Sequence, residues 1–184
     1  MNNMTSKELD ILDRKVIDII NKYFKDKKDK GGNDYVNHLY AVASSIEKES
    51  LHNCTDKNSS LGIYYRKAAI VGLLHDIFED TECTENELRE LGCDDEIINA
   101  IKSVTRKKEE QYYFDFIERA RNNDIGRLVK IYDLENNMDI KRLSTFGDYE
   151  QKRLKKYWYA WKYLKGEITS VVANNTMHPD RLYR

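Results

Sequence analysis

His75 and Asp76 stand side by side in the run Leu73-Leu74-His75-Asp76-Ile77-Phe78-Glu79-Asp80-Thr81. On a helix such neighbours point about 100° apart, so both reach one ion where the helix borders a cleft. His75 to Glu79 and Asp76 to Asp80 are each spaced i,i+4, which stacks ionisable groups on neighbouring faces. These four groups sit badly in a purely structural helix, because a buried carboxylate needs a cation or several donors to stay charged. Alone, the run reads equally well as the solvated side of an amphipathic helix. Two further residues tip the balance. Asp133 ends the stretch Leu128-Val129-Lys130-Ile131-Tyr132-Asp133, and His38 lies beside Leu39 in a segment of helical spacing. Two imidazoles and two carboxylates suit Mn²⁺ or Fe²⁺, with positions left for water and substrate. Zinc is the alternative, although its catalytic centres usually take three protein ligands.

The elements that must bring these residues together are helices. Leu9, Leu12, Val16, Ile19, Ile20 and Tyr23 recur at spacings of three and four behind a capping-box pattern, Thr5 with Glu8. Tyr35, Leu39, Val42 and Ile46 repeat the spacing after a charged loop ending in Gly31-Gly32. The most apolar helix is expected from Gly62 to Phe78, carrying His75 and Asp76. Thr84 with Glu87 opens a short helix that stops at Gly92, and Ile97, Ile98, Ile101 and Val104 mark a fifth. Two more are expected over 110–120 and 124–138. An eighth, after Gly147, places Leu154, Trp158, Trp161 and Leu164 inward. The expectation is an all-α bundle of about eight helices in one domain over residues 1–166, with an aperiodic tail, 167–184.

Composition narrows the function classes. A chain of 184 residues buries a substantial core, and with eight glycines and one proline it lacks the turns that an all-β fold needs. The formal net charge of −1 offers no global field for nucleic acid or anionic lipid. Three cysteines without a C-x-x-C pair suggest neither a disulfide framework nor a thiolate zinc site. Without an apolar leader or a run long enough to span a membrane, the protein is expected in the cytoplasm, with no membrane or nucleic-acid partner. Self-association as a homo-oligomer is compatible with the sequence.

In order along the chain, the residues resemble the HD-domain metal-dependent phosphohydrolases, and among them the hydrolase domain of the RelA/SpoT alarmone enzymes. Lys30 to Ala43 is similar to K-x-G-x-P-Y-x-x-H-P-x-x-V-A, and Leu73 to Thr81 to L-L-H-D-x-x-E-D-T. Leu91-Gly92 and Val104-Thr105-Arg106 resemble the F-G and V-T-K stretches, and Val129 to Met138 resembles K-L-A-D-R-x-x-N-M. The matching core runs from about residue 30 to 141. The resemblance implies that His38, His75, Asp76 and Asp133 hold a divalent metal, usually Mn²⁺. It implies that Glu79 and Asp80 handle the attacking water, and that Lys30 and Asn137 contact a nucleotide. Lys130, one turn before Asp133, is expected to anchor that carboxylate or a phosphate. The implied reaction is hydrolysis of a phosphate or pyrophosphate ester on a nucleotide-like small molecule, with removal of the 3′-pyrophosphate of (p)ppGpp as its specific form. A 5′-nucleotidase, a cyclic-nucleotide phosphodiesterase and a non-catalytic nucleotide binder are the rivals.

The sequence also departs from that pattern. Asp29 stands where the alarmone enzymes commonly carry a base-stacking Arg, Leu39 replaces a proline, and Asp139-Ile140 replaces a threonine. These changes spare the metal and phosphate chemistry and weaken the expectation of guanine recognition. With the chain ending at residue 184, no synthetase domain is expected to follow. Tyr112, Tyr113, Phe114 and Phe116 are expected mainly in the core, and His52 and His178, in loop and tail, are not expected as ligands.

Overall fold

The computed structural model describes residues 4–29, 31–110 and 112–177. Among them the chain forms α1 (Ser6–Phe24), α2 (Val36–Asn53), α3 (Ser60–Leu74), α4 (Ile77–Asp80), α5 (Glu85–Leu91), α6 (Asp95–Val104), α7 (Tyr113–Arg121), α8 (Asp124–Asn137), a 3-10 turn (Ile140–Arg142), α9 (Asp148–Leu164) and α10 (Ser170–Met177). The described residues contain no strand, only an isolated bridge between Lys28 and Asp34. Both capping boxes form: Thr5 with Glu8 opens α1, and Thr84 with Glu87 opens α5. Gly92 ends α5 at φ 117°, a left-handed conformation that glycine adopts without a Cβ penalty.

Two apolar clusters organise the packing. The larger joins α1, α2, α3, α5 and α6 through residues such as Leu12, Ile46, Ile70, Leu88 and Ile101. The smaller joins α7, α9 and α10 through Phe114, Ile117, Tyr163, Leu164 and Met177. Helix α8 belongs to both, giving Ile125 and Val129 to the first and Ile131 and Leu134 to the second. Asp133 therefore lies on the helix shared by the two cores. Helices α2 and α3 pack along one another, with α8 against both. Gly72 permits this approach: a Cβ there would meet Ile46 Cδ1 at 3.2 Å and the Ala43 backbone at 3.3 Å.

Three expectations need correction. The single helix over 62–78 breaks at His75-Asp76; α3 ends at Leu74, Asp76 takes φ −97° and ψ 2°, and a separate turn, α4, restarts at Ile77. The aperiodic segment after Gly166 contains α10, whose Ala173 and Met177 are buried against α7 and α9. On α9 the inward residues are Ala160, Tyr163 and Leu164, whereas Trp158 is 45% exposed. Of the face predicted from Leu154, Trp158, Trp161 and Leu164, Leu164 is buried and Trp161 packs partly buried against the smaller cluster.

Candidate metal centre

The centre is assembled at the ends of helices. The imidazole of His75 caps the open C-terminus of α3, where Nδ1 donates to the Gly72 carbonyl at 2.8 Å. His38, in the first turn of α2, donates from Nδ1 to Oδ1 of Asn136 on α8 at 2.7 Å, since an amide oxygen only accepts. With both Nδ1 atoms so engaged, this pattern assigns each Nε2 as the atom left to bind a cation. The two Nε2 atoms lie 3.2 Å apart. Oδ2 of Asp76 is 3.0 Å from His75 Nε2 and 3.6 Å from His38 Nε2. Asp133 Oδ1 is 3.2 Å from His38 Nε2 and 3.5 Å from His75 Nε2. His38, His75 and Asp76 present ligand atoms all within 4.8 Å of one another. His38, His75 and Asp133 are buried.

The electrostatics ask for positive charge at this point. Burial opposes charge on His75, but Asp76 and Asp133 draw its imidazole well above the ordinary value. Burial likewise opposes the Asp76 charge, yet His75 holds that carboxyl down at about 2. Asp133 falls well below the usual carboxylate range despite its burial, held there first by the Lys130 ammonium. A divalent cation would supply the same compensation in exchange for a proton, so the donor set fits a metal.

Outer groups hold the ligand side chains. Tyr35 donates to Asp76 Oδ2 at 2.6 Å and stacks on Phe24 with ring centroids 5.4 Å apart. Lys130 donates to Asp133 Oδ2 at 2.7 Å, and Asn137 Nδ2 to Asp133 Oδ1 at 2.5 Å. Arg142 donates to both the carbonyl and the side-chain oxygen of Asn136 and pairs with Asp29 at 2.9 Å. Asp29 in turn accepts from the backbone of Gly31 and Asn33 at 2.9 Å each, which ties these residues through Arg142 to α8.

Above the centre opens a cavity of about 450 Å³, within the usual size range of small-molecule sites. Lys27, Arg106, Lys130, Arg142, Arg153 and Lys156 line it, with Tyr113, Phe116 and Tyr157 as aromatic wall. Glu79 and Asp80, on α4, also line it. Glu79 accepts from the Arg106 backbone amide. Loss of solvent and the nearby Asp76 charge raise its carboxyl above the ordinary value. Asp80 pairs with Lys27 at 2.9 Å.

The structure thus gathers His38, His75, Asp76, Asp133, Glu79, Asp80, Lys130 and Asn137 around one cavity. Lys30 lies outside the described residues. Asn136 and Arg142 are not singled out by the sequence, and Tyr35 and Arg153 read there as helix-face residues and not as part of the site; the four come from different segments. Phe114 and Phe116 are buried in the smaller core as expected, with Tyr113 packed against it, and Tyr113 and Phe116 also border the cavity.

No family model matches the chain. It is 23% identical over 162 residues to the guanosine-3′,5′-bis(diphosphate) 3′-pyrophosphohydrolase MESH1 of Drosophila melanogaster, covering 86% of this chain and 84% of that protein. The chain is a distant homologue of this HD-domain hydrolase. The fold agrees. A solved structure of a metazoan ortholog of SpoT that hydrolyses ppGpp superposes with a TM-score of 0.60 at 21% identity, covering 99% of this chain and 93% of that one. No helix among the described residues is long and apolar enough to cross a membrane.

Proposed function

We propose that the chain is a divalent-metal-dependent phosphohydrolase of nucleotide-like substrates, and that its specific reaction is removal of a 3′-pyrophosphate from a (p)ppGpp-type nucleotide. The observation that carries the reading is the convergence of His38, His75, Asp76 and Asp133 beneath a cavity lined by cations. Similarity to the Drosophila hydrolase supports the choice of substrate. His38, His75, Asp76 and Asp133 would hold the metal, with Mn²⁺ as the expected ion. A dication there lowers the pKa of water and offsets phosphoryl charge.

The chain's own groups do the rest. Glu79, whose raised carboxyl is closer to the operating range of a base, accepts the proton of the attacking water, with Asp80 beside it on α4. Lys130 and Asn137 fix Asp133 and present cationic and amide donors to the substrate. A second reading, another nucleotide phosphoester hydrolysed at the same centre, is favoured by Asp29. Its carboxylate is taken by Arg142, so this position offers no guanidinium to stack on guanine.

A panel of ppGpp, deoxynucleoside monophosphates and cyclic dinucleotides, given to EDTA-stripped protein with and without Mn²⁺, tests the proposal. Mn²⁺-dependent release of pyrophosphate from ppGpp is expected. Turnover of another panel member alone selects the second reading. Tight nucleotide binding without product refutes both and indicates a binder. Full activity in Asp133→Ala would remove that residue from the ligand set.

A further inference from the structure

The cavity wall formed by α7 and α9 contains two buried polar atoms with no hydrogen-bond partner among the described residues, the Tyr113 hydroxyl and Nε of Arg153. Buried donors are rarely left unpaired in folded proteins, so each such group requires an explanation. The Tyr113 ring is firmly placed. Phe116 meets it edge-on at 5.9 Å, Tyr157 lies at 6.1 Å, and Lys156 Nζ sits 4.4 Å over its face. Its phenol feels the charges of Lys130, Asp133 and Arg106.

Asp133 does not supply the missing acceptor. Its Oδ2 accepts from Lys130, and its Oδ1 accepts from Asn137 and faces the two imidazoles. Glu79 accepts from the Arg106 amide and Asp80 pairs with Lys27. A ligand in the cavity can supply that acceptor, and Arg106, Lys130 and Arg153 in the cavity lining favour one that bears negative charge. Burial raises the Tyr113 phenol above its ordinary value, which keeps it a donor at neutral pH.

We propose that the Tyr113 hydroxyl is a substrate-binding group, donating a hydrogen bond to a phosphoryl oxygen held against the α7–α9 wall of the cavity. The inference rests on the phosphohydrolase reading, but its test does not require turnover. Inorganic pyrophosphate is titrated calorimetrically into the full chain in the presence of Mn²⁺, comparing wild type with Tyr113→Phe. Losing a hydrogen bond to a charged group weakens pyrophosphate binding by about 10- to 100-fold. Mn²⁺ affinity stays at the wild-type value, and the melting temperature is unchanged or higher, because the deleted hydroxyl had no partner among the described residues. Tyr112→Phe, at the 38% exposed neighbour, binds pyrophosphate as wild type does.

Wild-type pyrophosphate affinity in a folded Tyr113→Phe protein overturns the proposal, as does absence of pyrophosphate binding by the wild type. A lowered melting temperature with unchanged pyrophosphate affinity assigns Tyr113 a packing role and also overturns it. Pyrophosphate binding that is lost in Tyr113→Phe, with no hydrolysis anywhere in the nucleotide panel, refutes the catalytic reading and leaves this proposal standing.

Discussion

Replacing Asn136 by alanine removes the acceptor that orients His38. The His38 Nδ1–H would be left without its partner at 2.7 Å in a residue that is only 4% exposed. A buried donor stranded in this way costs about 1–3 kcal/mol. The imidazole can avoid that cost by moving its proton to Nε2, which removes the lone pair directed at His75 Nε2 and Asp133 Oδ1. Either way the cation loses. Partners of this kind are typically worth about 10- to 100-fold in metal affinity, which converts to about 1.4–2.8 kcal/mol. The scaffold should survive, because Arg142 keeps the Asn136 backbone carbonyl at 3.1 Å and Asp29 at 2.9 Å. The assay is calorimetric titration of Mn²⁺ into EDTA-stripped protein, with circular dichroism to verify folding. Asn136→Asp, which preserves an acceptor, should bind Mn²⁺ close to the wild-type level. A folded Asn136→Ala protein with wild-type Mn²⁺ affinity would refute the tautomer argument.

Four other outcomes are expected. Lys130→Met strands the buried Asp133 carboxylate and should destabilise the metal-free protein by about 3–5 kcal/mol in urea unfolding, with partial recovery on adding Mn²⁺; equal stability would mean that Asp133 is otherwise neutralised. Glu79→Gln should retain Mn²⁺ by calorimetry yet lose about 10²–10⁴-fold in turnover, and near-normal rates would remove it as the base. Tyr35→Phe keeps the stack on Phe24 but frees Asp76 Oδ2, so Mn²⁺ affinity should fall while the melting temperature changes little; unchanged affinity would limit Tyr35 to packing. In metal-free protein the folded-state value of Asp76, about 2, lies below the unfolded value, so its stabilisation is complete above about pH 4 and lost as pH falls toward about 2. Asp76→Asn should therefore flatten that acid limb in thermal melts, and an unaltered limb would contradict the assignment.

Much of the fold was legible because helical periodicity and capping are local. Thr5 with Glu8 and Thr84 with Glu87 open helices where the spacing says they must. The stripe Leu9, Leu12, Val16, Ile19, Ile20 is buried as a unit. Periodicity failed at His75, where the helix ends on an imidazole-to-carbonyl hydrogen bond that no apolar spacing records. It failed again at α10, too short to show a stripe, with Val171 and Val172 exposed while Ala173 and Met177 meet α7 and α9.

The centre divides along the same line. The proposed ligands His38, His75, Asp76 and Asp133 could be named in advance because a divalent cation would restrict the residue types that can face it, and because the motifs around them keep their order. Their outer partners could not. Asn136 matters through the ring nitrogen it accepts from, Arg142 through a reach back to Asp29, and Tyr113 through a hydroxyl that its neighbours leave unpaired. The order of residues determined which helices form and which side chains are fit to bind a cation. His75 and Asp133 are aimed by partners within about one turn of their own positions. Only the packing of α2, α3 and α8 decided which atoms of His38 and Asp76 face inward and brought all four together, because Asn136 and Tyr35 lie on segments far apart from them in the chain.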